Sequence, residues 1–106
     1  MKKFGLFFAL VLSLSLILSA CAPAAVEPQG TFRVAVVMPS AINDLAFSQS
    51  MYDGLLRVQE EMGGPDSFEI VYSENMFVVD DAAAALRDYA SQGFDLVIAH
   101  GSQYGS

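Results

Sequence analysis

Three short apolar runs, residues 32–38, 68–72 and 95–99, are separated by two stretches whose apolar residues recur at helical spacing. This alternation constrains the fold more than any other feature of the chain. The first run, FRVAVVM, is nearly continuous in apolar and β-branched residues and is ended by Pro39. A strand wetted on one face alternates polar and apolar residues. A strand buried on both faces reads continuously, which marks a parallel sheet covered by helices on each side. After it, Asn43 or Asp44 offers an oxygen that caps a helix. Phe47, Met51, Leu55, Val58 and Met62 then form one apolar stripe. Gly63, Gly64 and Pro65 stop that helix. Asp80 or Asp81 caps a second helix over residues 82–92, with Ala82, Ala85, Leu86, Tyr89 and Ala90 facing inward and Gly93 at its end. The order strand–helix–strand–helix–strand implies right-handed crossovers and an α/β fold, a partial doubly wound parallel sheet. Three strands and two helices are about half of such a domain. Residues 32–106 are therefore expected to be a truncated, incomplete N-terminal lobe that neither folds stably nor binds ligand alone.

The preceding segment has a different logic. Lys2 and Lys3 form a short positive region, and residues 4–18 contain nothing more polar than serine. Fifteen apolar residues are too few for a comfortable membrane span, which needs about 20, but they suit the core of a secretory signal. Leu18-Ser19-Ala20-Cys21 matches the bacterial lipobox, in which a small residue precedes a cysteine that receives a diacylglyceryl thioether. Residues 1–20 thus read as a lipoprotein signal peptide, and Cys21, the chain's only cysteine, as the lipidation site. Residues 21–31 have two prolines and no periodicity, and read as a tether holding a domain off the bilayer. Localisation on the extracytoplasmic face of the cell membrane follows, with the lipid anchor as the membrane contact.

From Cys21 onward the chain has three arginines, no lysine and all twelve acids, a formal charge of −9. Nucleic acid as a partner is excluded, because phosphates need a basic face. One cysteine allows no internal disulfide and no cysteine-rich zinc site, and one histidine allows no multi-histidine metal centre. No metal or other cofactor is expected.

Ligands of such sheets sit beyond the carboxyl ends of strands, so residues 39–47 and 100–106 carry the candidate site. The first loop offers Ser40, Asn43, Asp44 and Phe47. The second offers His100, Ser102, Gln103 and Tyr104. Neither a dinucleotide glycine motif nor a Walker A is present, which leaves a phosphate cradle unsupported. Asn43 and Asp44 either cap the helix alone or also meet a ligand; Phe47 is either core or a wall that stacks on a flat ring. Tyr104 is either a second aromatic wall or packing for another part of the protein. Ser48 and Gln49 are expected to face solvent. A hydrolase would need His100, a serine and an acid such as Asp44 within hydrogen-bond reach. No nucleophile-elbow motif supports it, and no catalytic residue is assigned. Glu60-Glu61 and Asp80-Asp81 read as solvated helix surface and cap.

The motif Asn43-Asp44-x-x-Phe47-x-Gln49-Ser50, followed by Tyr52, Asp53, Gly54 and Leu55, resembles the basic membrane protein (BMP) family of ABC-transporter substrate-binding lipoproteins, which includes purine nucleoside receptors. The run F-D-L-V-I-A-H-G over residues 94–101 is similar to that family's third strand. The resemblance implies a type I periplasmic-binding-protein-like protein of two α/β lobes that holds its ligand between them. It implies a binding function without bond chemistry, a small polar solute such as a nucleoside, and ABC permease and ATPase subunits as partners. It places Phe47 on a base, Asn43 and Asp44 near that base's polar edge, and Ser102 and Tyr104 in the facing loop. Two departures bear on nucleoside specificity and leave the transporter role untouched. Residues 39–42 stand where family members often have a glycine pair, and residues 101–105 lack the acid suited to ribose hydroxyls. The readings from other classes are a secreted α/β enzyme and a ligand-sensing lipoprotein that signals to a kinase.

Overall fold

The computed structural model describes residues 30–105. The signal peptide, Cys21 and most of the tether read from the sequence lie outside the described residues. The elements are β1 (Phe32–Val37), α1 (Phe47–Glu61), β2 (Phe68–Ser73), α2 (Val79–Ser91), β3 (Leu96–Ala99) and a 3₁₀ turn (Ser102–Gly105). All strand pairs are parallel and the sheet order is β2-β1-β3, with Phe32 opposite Phe68 and Val34 opposite Leu96. The α/β fold expected from the alternation is the fold observed.

The central position of β1 explains its composition. Val34 to Met38 are fully buried, because strands flank β1 on both edges and helices cover both faces. Side chains alternate along a strand, so Val34, Val36 and Met38 line one face. There they form the main core with Leu55 and Phe68, supported by Ile42, Met51, Ile70 and Ile98. Ala35 and Val37 line the other face, toward α2, which packs on β1 and β3 and buries Ala82. Two right-handed crossovers, one from β1 to β2 and the other from β2 back across β1 to β3, run in opposite directions and so place α1 and α2 on opposite faces. Small side chains on the α2 side let that helix approach closely.

Several expectations are corrected in detail. α1 begins at Phe47, so neither Asn43 nor Asp44 occupies the N-cap position, which is held by Ala46. The apolar stripe leaves the core at both ends: Phe47, Val58 and Met62 are exposed. Met62 lies beside Gly30, Phe32 and Ser67 in an open hollow at the amino ends of the strands. α2 starts at Val79, three residues earlier than the spacing indicates, so Asp80 and Asp81 sit inside its first turn. There they complement the positive end of the helix dipole without capping it. Ala90 is exposed, because α2 extends past the short edge strand β3. Gly63 and Gly64, with φ of 104° and 95°, make the left-handed turn after α1.

Candidate functional site

Order β2-β1-β3 means that the chain leaves β1 toward β2 and returns across it to β3. The strand order therefore reverses at β1 and β3, and the crevice beyond their carboxyl ends is where ligands of such sheets bind. A cleft of about 290 Å³ lies there, lined by Pro39, Ser40, Phe47, Phe77, Ser102 and Gln103. Larger hollows open elsewhere, one of about 360 Å³ at the opposite pole and one of about 480 Å³ along α2. The switch-point cleft is the one that joins two aromatic rings to hydroxyl and amide groups, the chemistry expected of a small-molecule site.

One wall is built by Asp44. Its Oδ1 accepts the N–H groups of Ala46 (2.9 Å) and Gln49 (3.1 Å), and its Oδ2 accepts Ser48 N–H (3.2 Å) and the Ser40 hydroxyl (2.5 Å). Asp44 thus does the work of an N-cap from two residues upstream, satisfying N–H groups that the first helical turn leaves unpaired. The Ser40 hydroxyl and these backbone donors hold the carboxyl well below the usual carboxylate range. Gln49 completes the arrangement by accepting Leu45 N–H at 2.9 Å. Leu45 sits at φ 57° with its side chain in solvent, an unfavourable conformation for leucine at the point where the loop must turn.

Ser48, expected to face solvent, is fully buried. Its Oγ lies 2.7 Å from Ser40 Oγ and accepts Ser40 N–H at 3.3 Å, so the hydroxyl is satisfied behind the cleft wall. Gln49, also expected in solvent, is half-buried.

Phe47 stacks on His100, with ring centroids 3.9 Å apart and planes 15° from parallel. A His100 Nε2 contact of 3.0 Å to the Phe47 carbonyl oxygen fixes the pair. With one face covered by His100, Phe47 remains 48% exposed and lines the cleft. His100 makes no bond to a serine or carboxylate among the described residues, so the residues of a Ser–His–Asp relay are present without its geometry. Among the described residues no cluster of metal-binding side chains occurs, and no helix is long and apolar enough to cross a membrane.

Of the residues singled out from the sequence, Ser40, Phe47, Ser102 and Gln103 line the cleft. Asp44 stands directly behind Ser40. Asn43 is exposed and is not among the residues that line the cleft. Tyr104 turns its hydroxyl away, donating to the Met76 carbonyl at 2.5 Å. Phe77 and Pro39 complete the lining. The signal for Phe77 in the sequence is faint: an apolar Phe77-Val78 pair directly before a helix that starts at Val79.

The family model described as Bmp, ABC transporter substrate-binding protein PnrA-like, matches residues 31–105. The chain is similar to the transcriptional activator protein med of Bacillus subtilis (strain 168), at 28% identity over 95 residues that cover 90% of this chain. It spans 28% of the length of that relative. No solved structure matches the chain significantly.

Proposed function

Because the chain belongs to the Bmp family of PnrA-like ABC transporter substrate-binding proteins, we propose that it forms the solute-contacting part of an extracytoplasmic receptor. That receptor captures a small, uncharged solute carrying a flat ring, such as a nucleoside, and hands it to an ABC permease and its ATPase. The observation that carries this reading is a half-exposed Phe47 lining the cleft at the strand switch point, its ring backed by His100. Base–aromatic stacking contributes about 1–3 kcal/mol per base and tolerates different bases. Ser102 offers a hydroxyl and Gln103 an amide to the solute's polar groups, while the Ser40 hydroxyl, which gives its proton to Asp44, can act only as an acceptor.

Asp44 adds a restriction on charge. Helix amino-termini commonly bind phosphate, but the Ser48 and Gln49 N–H groups in the first turn of α1 are taken by this chain's own carboxylate. A phosphorylated solute would lose that anchor and meet a negative charge behind Ser40. Inosine should bind, and inosine monophosphate should bind at least roughly 5-fold more weakly, as expected for one unit-charge repulsion at short range. Equal affinity for the two, or no nucleoside binding in calorimetry, would contradict the reading.

In this account Cys21 anchors the receptor to the membrane. Cys21→Ser should release it or leave it as unprocessed precursor, and membrane retention of a mature-sized, unacylated form in fractionation would refute the anchor. The similarity to a protein named as a transcriptional activator favours a second reading, in which the same cleft senses a solute and reports it to a regulatory partner. The charge of −9 from Cys21 onward argues against this portion touching DNA itself. Solute uptake that is lost on deletion of the gene supports transport; unchanged uptake with altered transcription supports sensing.

A further inference from the structure

We infer that Phe77 is a second aromatic wall of the solute cleft and that Tyr104 is the positioning residue that holds it there. The inference rests on the reading of the cleft as a site for a solute with a flat ring. Phe77 is 75% exposed, yet it lines the same cleft as Phe47. A single exposed phenylalanine is ordinary on a protein surface; one whose backbone is pinned on both sides is not explained by a loose loop. Met76 N–H donates to the Met38 carbonyl at 2.9 Å, and Asn75 N–H donates to the Ser40 carbonyl at 3.3 Å. From the other side, the Tyr104 hydroxyl donates to the Met76 carbonyl and Gln103 Nε2 to the Phe77 carbonyl.

Strands β2 and β3 lie on opposite edges of β1. The bonds from Tyr104 and Gln103 therefore cross the carboxyl end of the sheet, tying the loop after β3 to the loop after β2. Tyr104 reaches across because Gly101 has no side chain: a Cβ there would stand 2.6 Å from the Tyr104 ring. Burial pushes the phenol's pKa up, so the hydroxyl keeps the proton it donates. One face of Phe47 is already closed by His100. A ring entering the cleft thus meets the exposed part of Phe47 and, beside it, Phe77.

The test uses the full-length protein. This chain contains no tryptophan, so Phe77→Trp places a new fluorophore in the wall, read as a difference from the parent protein. The probes are inosine, thymidine and nicotinamide, three uncharged solutes with flat rings. At least one should change the emission of the introduced indole, and Phe77→Ala should weaken that solute roughly 5-fold or more. Tyr104→Phe keeps the ring and removes the donor. It should weaken the same solute about 2- to 13-fold, the range of one hydrogen bond, with an unchanged melting midpoint. A purely structural tyrosine would lower the midpoint and leave affinity alone, which would overturn its positioning role. Inosine bound with unchanged affinity by Phe77→Ala would overturn the wall while the nucleoside reading stands. Nicotinamide bound through Phe77 with no nucleoside binding would support the wall and refute the nucleoside. No response of the fluorophore to any of the three overturns the wall.

Discussion

The loop after β1 and the loop after β2 both feed the cleft, and they are held in different ways. Between Ser40 and Gln49 the bonds made by the loop's own side chains close within a few residues: Asp44 gathers Ser40, Ala46, Ser48 and Gln49, and Gln49 returns to Leu45. Only Glu74 and His100 reach in from distant segments, to Ile42 N–H and the Phe47 carbonyl. Between Glu74 and Phe77 the bonds go to distant segments. Glu74 accepts Ile42 N–H at 2.8 Å, Asn75 and Met76 donate to the β1 end, and Met76 and Phe77 accept from the 3₁₀ turn. The Asp44 corner of the first wall is a local motif, although the Phe47 ring beside it is backed by His100 from 53 residues away. The second exists only once three strand ends have come together. A site built this way has one wall with a locally fixed corner and one wall that depends throughout on tertiary assembly.

The largest expected effect strikes the fixed corner. Asp44→Ala leaves three backbone N–H groups and the Ser40 hydroxyl without their acceptor, with Ser48 buried beside them. Solute affinity should fall more than roughly tenfold and the melting midpoint by several degrees, since unsatisfied groups cost more than ordinary bonds return. Titration calorimetry and thermal circular dichroism check this together. A loss confined to affinity would show that the corner stands without its carboxylate.

Acid should produce a graded version of the same damage. The Asp44 pKa is depressed in the folded state, so its contribution is fully present above the ordinary carboxylate pKa. It is lost as pH falls from there through the lower folded value. Urea unfolding from neutral pH downward should therefore show falling stability, and Asp44→Asn should flatten that dependence. Parallel pH profiles in the two proteins would assign the acid sensitivity to other carboxylates.

The sequence reveals the fixed corner and conceals the other wall for the same reason. The continuous apolar run of β1, the spacing of Met51 and Leu55 and the glycines at 63, 64 and 93 are local signals, so the fold class and the order of elements along the chain are legible. So is the Asn43-Asp44-x-x-Phe47 corner, where the bonds of Asp44 span five residues or fewer. Ser48 departs from its expected exposure because its burial comes from Ser40 folding back over it, not from helical periodicity. Phe77 and the Tyr104 strap are not legible. The bonds from the 3₁₀ turn to Phe77 and Met76 span 26 and 28 residues, and no pattern along the chain reports which strand ends meet.

A smaller effect should follow from disturbing the assembled wall alone. Gly101→Ala brings a methyl group into the Tyr104 ring. Because that ring sits at the end of a rotatable side chain, it should swing aside and release Met76. Affinity should then drop about 2- to 13-fold, the range of the lost hydrogen bond, with the Asp44 corner unchanged by hydrogen exchange. Added protection loss at Ala46, Ser48 and Gln49 would mean that the two walls are one cooperative unit.

The central claim is that a flat solute stacks on the half-exposed ring of Phe47 at the strand switch point. Its most direct test is calorimetric titration of inosine into the full-length protein and its Phe47→Ala variant, with folding confirmed by circular dichroism. Loss of about 1–3 kcal/mol of stacking should weaken binding roughly 5- to 150-fold. Unchanged affinity in a folded Phe47→Ala protein would contradict the account and remove this cleft as the place where the solute is held.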